Sequence, residues 1–194
     1  MGRIKSALEI ALERTSEVKS DKASIDQYDA KQRGKKIANE YLENSEKNIA
    51  DLIKQNPPEQ RDNFKQGLFD ALISQIFLPV SQEDKKRVET AGKGLAVIIN
   101  NSRFTTLLKQ LTQILTQYMD ETAQYEEAIK RQYAPKLRQK EEELSRRIGR
   151  EVHIDPFQDP EFVTFYNQNM NSLKTNYQAA IEQFRQEARN LFLS

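Results

Sequence analysis

The chain contains no cysteine, and a single histidine, His153. Without thiols there are no disulfides, no thiolate zinc sites and no cysteine nucleophile, which fits a reducing compartment. With one histidine and no GxSxG, serine–histidine catalysis has little to work with. Six glycines and six prolines in 194 residues are too few for the tight turns of an all-β protein. Neither sign of charge dominates: thirty Lys and Arg against twenty-nine Asp and Glu leave +1, so no global field draws the chain to nucleic acid or an anionic membrane. No apolar run approaches a transmembrane span, and the opening MGRIKSALEIALERT carries Glu9 and Glu13 inside its apolar stretch, unlike a signal peptide. These absences predict a soluble, cytoplasmic protein with no transmembrane segment.

What the chain has in quantity is Gln, Glu, Lys, Ala and Leu, the residues of long helices. The fold class predicted is all-α. With 37% hydrophobic and 30% charged residues the interior is lean, so the expectation is an elongated helical bundle with a long, coiled-coil-like antiparallel hairpin.

Residues 1–56 read as N-terminal amphipathic helices. Ile4, Leu8, Ala11, Leu12 and Val18 form one modest stripe, SEVKSDKAS interrupts it, and a second pattern runs from about Ile25 to Ile53. Gly34, in a polar section, predicts a bend or a weakly packed stretch. NPPEQ at 56–60 is a firm stop. Residues 57–101 read as a compact helical core: a helix from about Pro58 to Phe77 broken by Pro79, then a second one capped by Ser81 with Asp84 and carrying Val88, Ala91, Leu95 and Ile98. AGKGLAV, residues 91–97, has no glycine at the upstream position a phosphate loop requires, and its small residues predict close helix approach instead.

Residues 102–194 hold the most regular pattern. Phe104, Leu108, Leu111, Leu115, Tyr118, Thr122, Tyr125, Ile129 and Gln132 alternate steps of four and three, the seam of a left-handed coiled coil. Phe104, Leu108, Leu111, Leu115, Tyr118, Tyr125 and Ile129 form the predicted interaction seam. At Pro135 the phase shifts by one, predicting a kink or register change there. Gly149 is placed to end that helix, and Phe162, Tyr166, Met170, Leu173, Tyr177, Ile181, Phe184, Ala188 and Leu191 mark a final one. Two such helices joined by a short corner at 149–160 pack most simply as an antiparallel hairpin.

The corner, GREVHIDPFQDPEF, gathers Glu151, His153, Asp155 and Asp159. Imidazole with carboxylates suits a zinc, manganese or iron site, and convergence of His153, Glu151 and Asp155 would support one. The structural reading is stronger: Asp159 with Pro160 is an N-cap followed by proline at the first helical position, and Asp155 with Pro156 starts a turn. Residues 130–150 carry eight cations against three glutamates, so Arg138, Arg146 and Arg147 are candidate phosphate contacts, weighed against a solvated face with i, i+4 pairs. MGRIKS formally matches a myristoylation pattern, but the first helix mixes acidic and basic residues on its polar side, and membrane-surface contact is not expected. The function predicted is a non-catalytic structural or interaction protein, without cofactor, that offers long amphipathic helices to a protein partner or a second copy. The alternatives are a nucleic-acid-associated protein using 130–150 and, third, a metal-dependent enzyme centred on His153.

Overall fold

The computed structural model describes the backbone of residues 7–45 and 47–194, and side chains from residue 24 onward except residue 46. The chain is all-α, and no strand occurs among the described residues. Its helices are α1 (Ala7–Glu43), α2 (Ile49–Gln55), α3 (Arg61–Ser74), α4 (Gln82–Ile99), α5 (Ser102–Ile148) and α6 (Pro160–Leu193), with 3-10 turns at Pro58–Gln60 and Pro156–Gln158. They group into two compact units, one built from residues up to 76 with 86–104, the other from 77–85 with 105–193. The first unit takes in described residues from both 1–56 and 57–101, while 77–85 fall in the second. The N-terminal stripe through Ile4, Leu8, Ala11, Leu12 and Val18, and MGRIKS, lie outside the described side chains.

SEVKSDKAS does not interrupt the chain's first helix, because α1 runs unbroken from Ala7 to Glu43. The break falls at 44–48, within the expected Ile25–Ile53 helix. There Asn48 Oδ1 accepts from the amides of Ala50 (3.1 Å) and Asp51 (3.3 Å), while Asn48 Nδ2 donates to the Asp51 carboxylate at 2.7 Å. These bonds satisfy the orphan donors at the start of α2, and that capping outweighs the apolar periodicity running through it. At the far end of α2, the Arg61 guanidinium donates to the carbonyls of Lys54 and Asn56, each at 2.9 Å.

Gly34 marks a close approach of helices rather than a bend. A Cβ there would overlap the Phe64 carbonyl oxygen and come 2.9 Å from the Leu68 amide, and one on Gly67 would overlap the Lys31 carbonyl. The two glycines therefore let α1 and α3 touch backbone to backbone. Lys31 and Asp70 pair across the same contact at 2.7 Å. Ala30 and Ala38, both fully buried, continue the small-residue face along α1. A Cβ on Gly94 of α4 would meet side chains instead, Leu72 Cδ1 at 2.8 Å and Tyr41 Cε1 at 3.0 Å.

α3 ends at Ser74, three residues before Phe77, and Gln75 closes it by accepting from Arg87 Nε at 2.9 Å. Leaving the helix early lets Ile76, Leu78 and Pro79 all be buried. Ser81 caps α4, its Oγ accepting from the Asp84 amide at 3.1 Å, and Asp84 in turn accepts from the Val80 amide at 3.1 Å. Asn100, at a φ of +46°, turns the chain out of α4, and Asn101 Oδ1 accepts from the Arg103 amide at 2.9 Å as α5 begins.

In the second unit the Tyr118 and Tyr177 rings lie 5.1 Å apart and those of Tyr133 and Phe162 5.2 Å apart. Numbers fall on α6 as they rise on α5, so the helices run antiparallel across these contacts. Of the predicted seam, Phe104, Leu111, Leu115, Tyr118 and Ile129 are buried, Leu108 is half-buried, and Tyr125 is 49% exposed. Tyr118 and Ile129 pack on the chain's own α6, with Ile129, Tyr133 and Phe162 forming one apolar cluster. Beyond Tyr118 the inward positions are Thr122, Glu126, Ile129, Tyr133, Leu137 and Lys140, a four-four-three spacing that puts Tyr133 where Gln132 was expected. Eleven residues per three turns follows a nearly straight helix better than the heptad does. The register thus changes before Pro135, which sits exposed inside an unbroken α5.

Candidate functional site

The corner between α5 and α6 is stitched back onto α5. Gly149 ends that helix with a φ of +75°, and its amide bonds the Ser145 carbonyl at 2.9 Å. Nothing stands within 4 Å of where its Cβ would be, so the left-handed backbone, not space, calls for glycine. The chain then doubles back: the Val152 amide donates to Ser145 Oγ at 3.0 Å and the Ile154 amide to Glu141 Oε1 at 2.9 Å. Asp155 Oδ1 accepts from the Phe157 amide at 3.0 Å to open the Pro156–Gln158 turn. Asp159 Oδ1 accepts from the Glu161 amide at 3.0 Å, with Pro160 as first residue of α6, as N-capping requires.

Asp159 is also the buried charge of the corner, with 5% of its surface exposed. Lys140 Nζ donates to both of its carboxylate oxygens, at 2.9 and 2.7 Å, and the Tyr133 hydroxyl donates to Oδ2 at 3.1 Å. Glu161 extends the group outward, accepting from Lys140 at 2.6 Å and pairing with Lys136 at 3.0 Å. Beneath it the ring of Tyr133 meets Phe162 edge-on, and Phe157 makes edge contacts with both Phe162 and Tyr166, each at 5.2 Å.

Burial by itself would raise the Asp159 carboxyl, but Lys140, the Glu161 amide and Tyr133 together hold it below its usual value. Bonding to Lys140 and then Lys136 brings Glu161 down to about 2. Lys140 is pushed up by Asp159 and then Glu161, and the Tyr133 hydroxyl is raised by burial and then by Asp159. Each of these four groups moves away from neutrality.

His153, Glu151 and Asp155 do not converge. His153 is 82% exposed, with Nδ1 3.7 Å from Glu141 and Nε2 3.7 Å from Glu151. Asp155 is occupied with the Phe157 amide. Among the described residues no group of three His, Asp or Glu side chains is placed so as to hold a metal ion. The reason is local: capping the 3-10 turn aims Asp155 at its own backbone.

Within the basic stretch the lysines pair with carboxylates. Lys130 pairs with Glu126 at 2.7 Å, and Lys136 and Lys140 serve Asp159 and Glu161. Arg146 reaches Glu142 at 3.9 Å with both side chains exposed, while Arg138, Arg147 and Arg150 make no ion pair among the described residues. Arg147 lines an open groove of about 400 Å³ at the end of α5, together with Lys140, Glu143, Leu144, Ile154 and Asp159. Sequence reasoning passed over Tyr133, Lys140 and Glu161 as a group. The signal was available: Tyr133, Leu137 and Lys140 share a helix face, and folding the chain at 149–160 sets that face against Asp159 and Phe162.

The chain belongs to a family of unknown function, DUF6657, whose model matches residues 50–190, from α2 to the last turns of α6. No curated protein and no solved structure matches it. Among the described residues no helix is long and apolar enough to cross a membrane.

Proposed function

We propose that this is a non-catalytic interaction protein in which α5 and α6 form a long, coiled-coil-like antiparallel hairpin that offers its outward surface to a partner protein. The observation that carries this reading is the division of labour along α5. Tyr118, Ile129 and Tyr133 pack on α6, and Lys136 and Lys140 pair with Asp159 and Glu161 where α6 begins, while Arg138, Arg147 and Arg150, with Leu144 at 36% and Ile148 at 54% exposure, are left exposed. Tyr118 and Ile129 of the seam first expected to hold a partner pack on the chain's own α6, which supports a partner surface made of the residues of α5 that α6 leaves exposed. At about 1.5 Å per residue, the 47 residues of α5 span roughly 70 Å, a long surface for a chain of this size. The absence of cysteine is consistent with work in the cytoplasm.

Nucleic-acid binding through Arg138, Arg146 and Arg147 draws less support. Arg146 has a carboxylate neighbour, the lysines of the stretch are committed to carboxylates, and the exposed arginines are not interleaved with rings on which bases stack. Purification of the tagged chain from its native cell, with mass spectrometry, tests the proposal. A protein held at fixed stoichiometry and lost in the double variant Arg138→Glu, Arg150→Glu is the expected result. Recovery of the chain alone, or with associates indifferent to the double variant, would overturn it.

A further inference from the structure

We propose that the α5–α6 hairpin is built as two cooperative halves joined at a polar waist, and that its corner half opens on its own while the base stays closed. Every residue between Tyr118 and Ile129 on α5, and between Phe162 and Ile181 on α6, is exposed or half-buried. On the base side of that gap Leu111, Leu115, Tyr118, Ile181 and Phe184 are buried, and on the corner side Ile129, Tyr133 and Phe162 form a cluster of their own. Within the gap the half-buried positions of α5 include Glu121, Thr122 and Glu126, where apolar residues would be needed to join the two clusters. Thr122 Oγ1 is buried there with no hydrogen-bond partner among the described residues, which weakens the closed waist. At about 1.5 Å per residue, 119–128 separate the halves by roughly 15 Å.

A helical stretch of ten residues is marginal without tertiary burial, so the waist passes little stability from one half to the other. The halves are also fastened differently. At the base a further segment of the chain is tied to α5, with Lys85 Nζ donating to Thr116 Oγ1 at 2.9 Å. The corner half has only the two helices and their connection. Its Val152 and Ile154 amides tie that connection to Ser145 and Glu141 of α5, and Lys140, 2.7 Å from Asp159, fastens the start of α6. The Lys140–Asp159 pair is thus a latch for the corner half: its release exposes Ile129, Tyr133 and Phe162 and leaves Leu111, Leu115 and Phe184 covered. Arg138 and Arg147, exposed on the corner half of α5, move with it.

Native-state hydrogen exchange on the full-length chain, resolved by mass spectrometry, tests the proposal. Amides of 130–146 and 161–166 should exchange at least about ten-fold faster than those of 107–118 and 180–190, with 119–128 no slower than the corner. Asp159→Asn should speed the corner amides about ten-fold, equivalent to 1.4 kcal/mol, and leave the base unchanged. Leu115→Val, a loss of one buried methylene, should do the reverse, speeding the base amides about five-fold and leaving the corner unchanged. Thr122→Val, which removes the hydroxyl without a partner, should slow exchange at the waist. A single opening rate shared by the slowest amides of both halves would overturn the proposal. So would a waist protected as strongly as the base, acceleration of both halves together by Asp159→Asn or by Leu115→Val, or faster exchange at the waist of Thr122→Val.

Discussion

Replacing Asp159 should loosen the corner in two separable steps. Asparagine caps a helix about as well as aspartate, so Asp159→Asn keeps the bond from the Glu161 amide and loses the charge facing Lys140. A hydrogen bond to a charged group contributes about 1.5–3 kcal/mol, and here the loss is smaller because Lys140 is partly exposed and keeps Glu161 as a partner. The expected cost is about 1–2 kcal/mol for a carboxylate that is 5% exposed. Asp159→Ala removes the cap as well, adding about 1 kcal/mol. It also leaves the Tyr133 hydroxyl to donate to Glu161, at 3.4 Å, while still accepting from Lys140 at 3.5 Å, giving about 3 kcal/mol in all. Urea unfolding followed by tyrosine fluorescence and helical circular dichroism reads both variants against the parent, with hydrogen exchange at the Glu161 and Val163 amides locating the change. The order parent, Asn, Ala should appear in the midpoints. If Asn and Ala variants unfold together, the cap contributes nothing; if neither differs from the parent, the network does not hold the corner.

Three further outcomes follow from the same geometry. Glu161 titrates at about 2 in the folded chain against an ordinary ~4.3, so the unfolded chain binds more protons between those values. Stability therefore falls as pH drops through that window, and Glu161→Gln should flatten the acid limb of an unfolding-versus-pH curve while leaving its neutral limb parallel. Gly67→Ala gains about 1 kcal/mol of helix propensity, but its Cβ overlaps the Lys31 carbonyl, and forcing backbones apart costs about 1–3 kcal/mol or more. A lower denaturant midpoint is expected, and a higher one would refute the backbone contact between α1 and α3. Pro135→Ala, at an exposed position of α5, recovers about 3 kcal/mol of helix preference less about 0.4–1 kcal/mol of lost restraint on the unfolded chain. Calorimetry should show a stabilised variant, and no gain would mean that α5 is already distorted to suit the proline.

Much of the fold was legible because its signals are local. Ser81 with Asp84, Gly149, and Asp159 with Pro160 act where their types and spacing place them, since a cap depends only on the backbone within a turn. Asn48 and Asp51 carried the same kind of signal and were masked by apolar residues continuing through the break. Gly34 misled for a different reason: a glycine serving a bend and one serving a close helix crossing look alike until the opposing Gly67 is known. The seam on α5 was readable to Tyr118, where the spacing is unambiguous. Beyond it Tyr125 and Glu126 compete for one inward position, and Glu126 takes it while Tyr125 stands 49% exposed. The Lys140–Asp159 network joins residues nineteen apart across a corner, so no local pattern announces it.

The proposal to test is that α5 packs on α6 at Tyr118 and meets a partner through the exposed Arg138 and Arg147. A photoreactive benzophenone amino acid placed singly at Arg138, Arg147 and Tyr118, and irradiated in the native cell, tests it most directly. The account predicts adducts to another polypeptide from Arg138 and Arg147, and from Tyr118 only a link within the chain, to α6 near Tyr177. Intermolecular adducts from Tyr118 with none from the two arginine positions would contradict it, placing the partner on the seam and the arginines in solvent.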